Sequence, residues 1–263
     1  MNNTPTTKTP YSLVIITLNA ANQIEACISS APSANEVIVV DSGSSDNTQA
    51  IALAMGATVI EQPWLGFGPQ KQFAVNAAKN EWVLCLDADE ALSTELHTHL
   101  QTLLSNEPPF KAYRIARRNH FMGRALRFGE GYPDWNLRLF HKKYAQWSND
   151  SVHERVVSSE SIGTIPGDLI HKSALQIGQY VNKQNSYTTI QAGTLYKQGK
   201  KATALKLILS PFVRFIRYYF FRLGFRDGIP GLVHTSIGSF NSFLKYAKLI
   251  ELQKSDSQSS QDK

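Results

Sequence analysis

The sequence predicts an α/β protein, a mostly parallel sheet flanked by helices with a helical C-terminal appendage. Three observations carry this expectation. Apolar, largely β-branched runs of strand length at residues 13–16, 36–40, 57–60 and 82–86 alternate with segments of helical character. Such alternation builds a parallel sheet covered on both faces. Two of the runs end abruptly in acid, one at Asp41 and one at Asp87-Ala88-Asp89-Glu90. Open α/β sheets bind ligands outside the carboxyl ends of their strands, so carboxylates at those tips lie where a site would be. Beyond residue 210, Phe212, Phe215, Ile216, Tyr219 and Leu223 recur at helical rather than strand spacing.

Taken in order, residues 13–16 form a buried first strand that runs into the polar loop Thr17-Leu18-Asn19. A helix is expected around 24–30. The second strand, 36–40, leads into Asp41-Ser42-Gly43-Ser44-Ser45-Asp46-Asn47-Thr48, which offers a carboxylate, a glycine for tight backbone approach and Ser/Asp caps for a helix at 49–55. A third strand, 57–60, precedes the glycine-punctuated loop Trp64-Leu65-Gly66-Phe67-Gly68-Pro69 and a helix carrying Lys71. The strand ending at Asp87, a helix at 94–104 and a strand at 110–115 follow. No Gly-x-Gly-x-x-Gly follows the first strand and no Gly-x-x-x-x-Gly-Lys-Ser/Thr occurs, so a nucleotide here would be held by side chains at strand tips.

A chain of 263 residues buries a full core. Its 27 Lys and Arg against 21 Asp and Glu leave a charge of +6, which favours an acidic partner, whether nucleic acid, anionic membrane or phosphorylated sugar. Cys27 and Cys85 both fall in apolar patterns without a Cys-x-x-Cys, which argues for a reducing compartment and against a disulfide framework or zinc site. Residues 1–10 are polar, lack a signal-type apolar core and are expected to be flexible.

Asp87 and Asp89 share a face if the backbone stays extended, and two such charges repel unless a cation lies between them. Mg²⁺ or Mn²⁺ suits that task, taking one or two carboxylates plus substrate phosphates. The plainer alternative is that these acids open the next helix, where negative charge suits its dipole. Further on, arginines interleave with rings and glycines: Arg117-Arg118-Asn119-His120-Phe121, then Tyr132-Pro133-Asp134-Trp135 and Arg138. That mixture points to a sugar- or anion-facing surface, with Arg117, Arg118, Tyr132, Asp134 and Arg138 as acceptor-binding candidates.

The ensemble resembles glycosyltransferase family 2, the inverting nucleotide-sugar transferases of GT-A fold. The residues that carry the resemblance are Thr17-x-Asn19, Asp41 to Thr48, Trp64-x-Gly66-Phe67-Gly68, Asp87-Ala88-Asp89, Arg117-Arg118-Asn119-x-Phe121-x-Gly123-Arg124, Tyr132-Pro133-Asp134, Val152-His153-Glu154, Gly167-Asp168-Leu169-x-His171 and Arg222-Leu223-Gly224-Phe225-x-Asp227-Gly228. It spans roughly residues 11–250 and looks like the lipopolysaccharide core β-glucosyltransferase branch, departing at Ala20, where many members carry an acid. The resemblance implies that Asp41 reads the uracil edge, that Thr17 and Asn19 line the base pocket, and that Asp87 faces ribose or phosphates. It also implies that Asp89 holds the divalent cation of a UDP-sugar donor and that Glu154 is the catalytic base. An inverting transfer needs one carboxylate to take the acceptor hydroxyl proton, which fits the acid of Val-His-Glu; His153 would orient it. Lys71 is either a point charge near the nucleotide or a solvated helix lysine, and His171 either a further metal or phosphate ligand or a core histidine.

At the C-terminal end, Ser210-Pro211 reads as an N-cap with proline in the first turn, and Gly224 as the stop. Arg214 and Arg217 within this apolar stretch argue against a spanning helix. Its apolar face either packs on the protein or rests in a membrane interface. The expected divisions are a catalytic domain at 11–195, a C-terminal amphipathic helical region at 196–252 and a disordered tail at 253–263. The function expected is transfer of a hexose, with glucose first, from a UDP-sugar to the lipid-linked inner core of lipopolysaccharide or lipooligosaccharide. The setting expected is the cytoplasmic, anionic inner-membrane surface, as a peripheral enzyme with no nucleic-acid partner. Two alternatives stand beside it: the same fold acting on polyprenyl phosphate or another cell-surface glycan, and a noncatalytic anion-binding α/β module.

Overall fold

The computed structural model describes residues 9–148, 154–172 and 176–259. They divide into two compact units, one running to Arg118 and resuming over Asp134–Lys172, the other comprising Asn119–Pro133 and the chain from Ser173 onward.

In the first unit, β1 (Tyr11–Thr17), β2 (Glu36–Asp41), β3 (Thr58–Glu61) and β4 (Trp82–Asp87) form a parallel sheet in the order β3-β2-β1-β4. Helices α1 (Ile24–Ser29), α2 (Thr48–Ala54) and α3 (Phe67–Ala77) connect these strands. The sheet continues through β8 (Asp134–His141), β6 (Ala112–Phe121), β11 (Ile162–His171) and β5 (Glu90–Leu92), and α4 (Thr94–Leu104) joins β5 to β6. Strand β8 runs antiparallel to β4 and β6, and β5 antiparallel to β11. A separate hairpin-like pair joins β9 (Ala145–Trp147) to β10 (Val156–Ser158). Successive strand residues point to opposite faces. Accordingly Tyr11, Leu13 and Ile15 of β1 enter one buried cluster with Ile24, Leu96 and Leu100, while Val14 and Ile16 enter another with Ala74, Val75 and Phe140. The polar loops thus gather at the carboxyl ends of β1, β2 and β4, because the parallel strands all point the same way.

The second unit contains α5 (Ile177–Lys197), α6 (Ala204–Ile216), a π-helical turn over Arg217–Phe221, a 3₁₀ turn over Gly224–Asp227 and α7 (Gly228–Ser259), with α7 packed on α5 and α6. The segment 119–133, which includes β7 (Arg124–Ala125), is pinned within this unit. The Asp227 carboxylate accepts the amides of Arg127 and Phe128, both at 2.9 Å, and Arg214 pairs with Glu130.

Three details differ from the sequence expectation. Ser210 is not the cap of α6: the helix starts earlier, with the Thr203 hydroxyl accepting the Lys206 amide at 3.2 Å, and Pro211 sits inside it. The apolar residues at 205, 208 and 209 continue the 212–216 stripe toward the N-terminus, so the helix keeps its pattern although the proline removes one backbone donor. The left-handed residue that ends this stretch is Leu223 (φ 57°), while Gly224 serves close approach, since a Cβ there would lie 2.8 Å from the Tyr218 carbonyl oxygen. Finally, α7 continues to Ser259, beyond the residue-253 start expected for a disordered tail; the Ser255 hydroxyl bonds back to the Glu251 carbonyl. Residues 1–8, Val152 and His153 lie outside the described residues, as do 260–263. Among the described residues no helix is long and apolar enough to cross a membrane.

Candidate active site

The tips of β1 and β2 are tied together by side chains. Asp41 is fully buried, and its carboxylate accepts the Gly43 amide at 3.0 Å, the Ser44 amide at 2.7 Å and the Gln49 side-chain amide at 2.8 Å. Burial pushes the Asp41 carboxyl up, but these donors and the Ser44 hydroxyl outweigh it and hold it below its ordinary value. Asn19, at φ 52°, donates its backbone N–H to the Ser44 hydroxyl and accepts the Ser45 amide on its side-chain oxygen at 2.9 Å. The buried Thr17 hydroxyl has no hydrogen-bond partner among the described residues. A buried polar atom without a partner calls for a ligand or water, and it lies at a strand tip.

The tip of β4 carries the densest charge. Lys71, buried on α3, reaches both Asp87 at 3.0 Å and Glu154 at 3.3 Å, and its ammonium lies 4.7 Å from the centre of the Trp147 ring. Arg138 of β8 is buried as well and donates to Asp87 at 2.9 Å and to Glu90 at 2.6 Å. Glu90 in turn accepts the Asp87 amide at 3.1 Å. Burial alone would push the Asp87 carboxyl up; Arg138 and Lys71 overcome it and hold that carboxyl well below the usual range. Burial opposes charge on Arg138 too, and Glu90 and Asp87 reverse that effect. Asp87 keeps 27% of its side chain exposed, so this ion-paired carboxylate still offers an edge to a ligand. Gly68 makes room for the Ser148 carbonyl: a Cβ there would come 2.3 Å from that oxygen, and it would meet the Glu154 Cβ at an ordinary contact distance of 3.4 Å.

Asp89 takes a partner of its own. The chain leaves β4 in a turn at Ala88-Asp89, so the shared face expected of an extended backbone is not formed. Instead Asp89 meets His171 Nε2 at 3.0 Å. Burial raises the Asp89 carboxyl, but the hydrogen bond and electrostatic pull of His171 win over it and over the opposing Asp87, leaving it lowered. No three His, Cys, Asp or Glu groups among the described residues are placed to hold a metal alone. An oxygen–nitrogen pair, 32% and 20% exposed, fits a cation that completes its shell with phosphate oxygens and water.

Arg117 and Asp134 are register partners on β6 and β8 and form an ion pair at 2.7 Å, with Glu90 3.4 Å from Arg117. Arg118 pairs with Asp168. Tyr132 belongs to the second unit, where its carbonyl accepts Arg222 at 3.0 Å.

A family model described as glycosyl transferase family 2 matches residues 12–162, more than half of the chain. The chain belongs to glycosyltransferase family 2. Full-length relatives agree: the lipopolysaccharide core biosynthesis glycosyltransferase LpsC of Rhizobium meliloti is 32% identical over 251 residues, covering 93% of each chain. An uncharacterized glycosyltransferase of Rickettsia bellii is 37% identical over 259 residues, covering 92% of this chain and 86% of its own. A solved structure, glucosyl-3-phosphoglycerate synthase from Mycobacterium tuberculosis with Mn²⁺ and UDP, matches in part: 26% identity, 43% of this chain, 44% of that one and a TM-score of 0.35. By the family match and the full-length relatives this protein is an enzyme, a glycosyltransferase, and its sheet, parallel over β3-β2-β1-β4 and flanked by helices, is the α/β arrangement that the sequence pattern implies.

Of the residues singled out from sequence, the enzyme brings Lys71, Asp87, Arg138 and Glu154 into one linked group, and Asp89 with His171 into another. Thr17, Asn19 and Asp41 share a third place at the neighbouring strand tips. Arg138 was grouped with an acceptor-facing surface, yet its guanidinium is spent on Asp87 and Glu90 inside the sheet. Glu90 and Trp147 join the site without standing out in the sequence. The signal for Glu90 was present as the third acid in four residues; that for Trp147 was absent, because its place over Lys71 depends on how β9 crosses α3.

Proposed function

We propose that this enzyme is an inverting transferase that moves a hexose, glucose first, from a UDP-sugar to the inner core of lipopolysaccharide or lipooligosaccharide, working at the anionic inner face of the cytoplasmic membrane. The observation that carries the reading is the Lys71 bridge, which sets Glu154 beside the strand-tip acid Asp87. In this scheme Glu154 accepts the proton of the acceptor hydroxyl as that oxygen bonds to the anomeric carbon. The bond to the UDP oxygen breaks on the opposite side, and UDP departs with its electron pair. Lys71 fixes the Glu154 carboxylate, and Arg138 with Glu90 fixes Asp87 toward ribose or phosphates. Asp89 and His171 would hold a divalent cation, Mg²⁺ or Mn²⁺; when bound there it would neutralise charge on the diphosphate. Thr17 and Asn19 line the base pocket. Asp41 takes the uracil N–H only by sharing an oxygen already engaged by its own loop. The inner-core acceptor is supported by the full-length likeness to LpsC.

The test is Glu154→Gln, which keeps size and removes the proton acceptor. Transfer to a truncated core acceptor is expected to fall about 10²- to 10⁴-fold, with donor affinity by calorimetry nearly unchanged. Near-parental transfer would exclude Glu154 as base. Transfer to polyprenyl phosphate but not to core oligosaccharide would replace the acceptor.

A further inference from the structure

We propose that the C-terminal unit carries a seat for the phosphate headgroup of an anionic membrane lipid, formed by Lys206 of α6 and Arg217 just past its end with Tyr246 of α7. The proposal rests on the membrane-surface reading above and narrows it to one place and one ligand chemistry.

A cavity of about 660 Å³ lies along α6, and none of the described residues lining it is acidic. Lys206, Ser210, Val213, Arg214 and Arg217 follow one another at helical spacing, so α6 turns one face into it. The cations in and beside it stand over rings. The Lys206 and Lys245 ammonium groups lie 5.6 Å and 4.7 Å from the Tyr246 ring centre, and the Arg214 and Arg217 guanidinium groups 5.9 Å and 5.6 Å from that of Tyr218. Arg214 has its counter-charge in Glu130. Lys206, Arg217 and Lys245 form no ion pair among the described residues. Burial pushes the Lys245 ammonium down, and Arg214 and Lys206 push it further. Two uncompensated cations lining one cavity, Lys206 and Arg217, with Lys245 over the ring of the lining Tyr246, favour an anion with several acceptor oxygens, and phosphate meets that description.

The rim says which phosphate. Leu205, Leu209 and Val213 line the same cavity and are 67%, 48% and 62% exposed. The stripe continues through Ile208, Phe212, Phe220 and Phe221, all more than half exposed. An inorganic phosphate or a nucleotide would leave this apolar rim in water. A phospholipid covers both parts, with its headgroup on the cations and its chains against the leucines. Basic residues flanking an exposed aromatic and aliphatic helix face are the composition of a helix lying in a membrane interface.

The experiment is co-sedimentation of the full chain, without donor or acceptor, with vesicles of phosphatidylcholine alone or of equal parts phosphatidylcholine and phosphatidylglycerol. The parent is expected to bind the mixed vesicles and not the neutral ones. Lys206→Gln with Arg217→Gln is expected to weaken that binding by roughly 30-fold at low salt, two charges at about fivefold each. Leu209→Ser with Val213→Ser is expected to weaken it too, while soluble glycerol phosphate at millimolar concentration does not displace the protein. Lys183→Gln with Lys197→Gln removes equal charge from exposed positions on α5 and should leave binding near parental. All variants change exposed side chains, and circular dichroism confirms folding. Parental binding by the Lys206/Arg217 variant, an equal loss in the α5 control, or displacement by glycerol phosphate would overturn the seat while leaving membrane association standing. Binding to neither vesicle would overturn both, and sugar transfer to a soluble acceptor would still be measured separately.

Discussion

A carboxylate that accepts the Gly43 and Ser44 amides and the Gln49 side chain at once, as Asp41 does, shapes its loop before it touches any ligand. The sign of its contribution follows. Its folded-state value lies below the ordinary 3.8, so its stabilisation is present above that value and is lost as pH falls through the lower folded value. Asp41→Asn replaces an acceptor by an N–H₂ facing donors, and is expected to cost about 1–3 kcal/mol at neutral pH. The gap between parent and variant in thermal unfolding should shrink on acidification below about pH 4; a gap independent of pH would refute the charge argument. At this scale the sequence was legible where a residue ends a strand. Asp41, Asp87 and Thr17 stand out because the apolar run stops at them. It was not legible where a role is set by a partner from a distant strand. Arg138 looked like one more arginine in a basic stretch, and only the β4–β8 pairing aims it at Asp87 and Glu90.

Elements meet through a few backbone contacts that composition does not announce, and the junction of α4 with β11 is an example. Ser93 caps α4 by accepting the Leu96 amide at 3.1 Å, and the same hydroxyl accepts the Asp168 amide at 3.1 Å. The Ser93 amide donates to the Asp168 carbonyl at 2.9 Å, so the helix start and the strand are laced together. Gly167 permits this approach: its φ is +97°, and a Cβ there would fall 2.4 Å from the Leu96 nitrogen. Gly167→Ala therefore combines backbone strain with overlap against backbone, and is expected to destabilise by about 2–4 kcal/mol. Gly193→Ala, inside α5 toward its C-terminal end with open space around it, should instead stabilise by about 0.5–1 kcal/mol. Equal melting temperatures for the two variants would refute the packing argument. Helix α4 forms over the 94–104 span expected from sequence, where the Ser93 cap and the apolar spacing agree. Helix α6 was misplaced because Ser210-Pro211 imitates a start signal in the middle of a stripe that already begins at Leu205; a local cue lost to periodicity.

The chain leaves its first unit at Arg118 and returns at Asp134, so the second unit is discontinuous in sequence. A linear reading that divides the chain at 195/196 has no means of finding this, because the evidence lies in pairings a hundred residues apart. Phe121 packs on Tyr180 and His234, Gly129 donates to the Arg222 carbonyl at 2.8 Å, and Asp227 caps the amides of Arg127 and Phe128. Truncation after Lys172 is therefore expected to fail even though it spares every strand-tip residue discussed above. It would bare Phe121 and Leu126, which are buried in the full chain, and leave 119–133 as an apolar flap prone to association. The remedy is specific. Arg117 and Asp134 are already opposite one another in the β6–β8 ladder, so 119–133 can be replaced by a short Asn-Gly turn that closes the hairpin. The shortened chain should stay monomeric by light scattering and unfold in one cooperative transition, whereas the simple truncation should aggregate on mild heating. If the simple truncation is as monomeric and as stable as the shortened chain, the 119–133 segment does not depend on the C-terminal helices and the division into units is wrong. If neither folds, the first unit draws stability from the second that its own core does not supply.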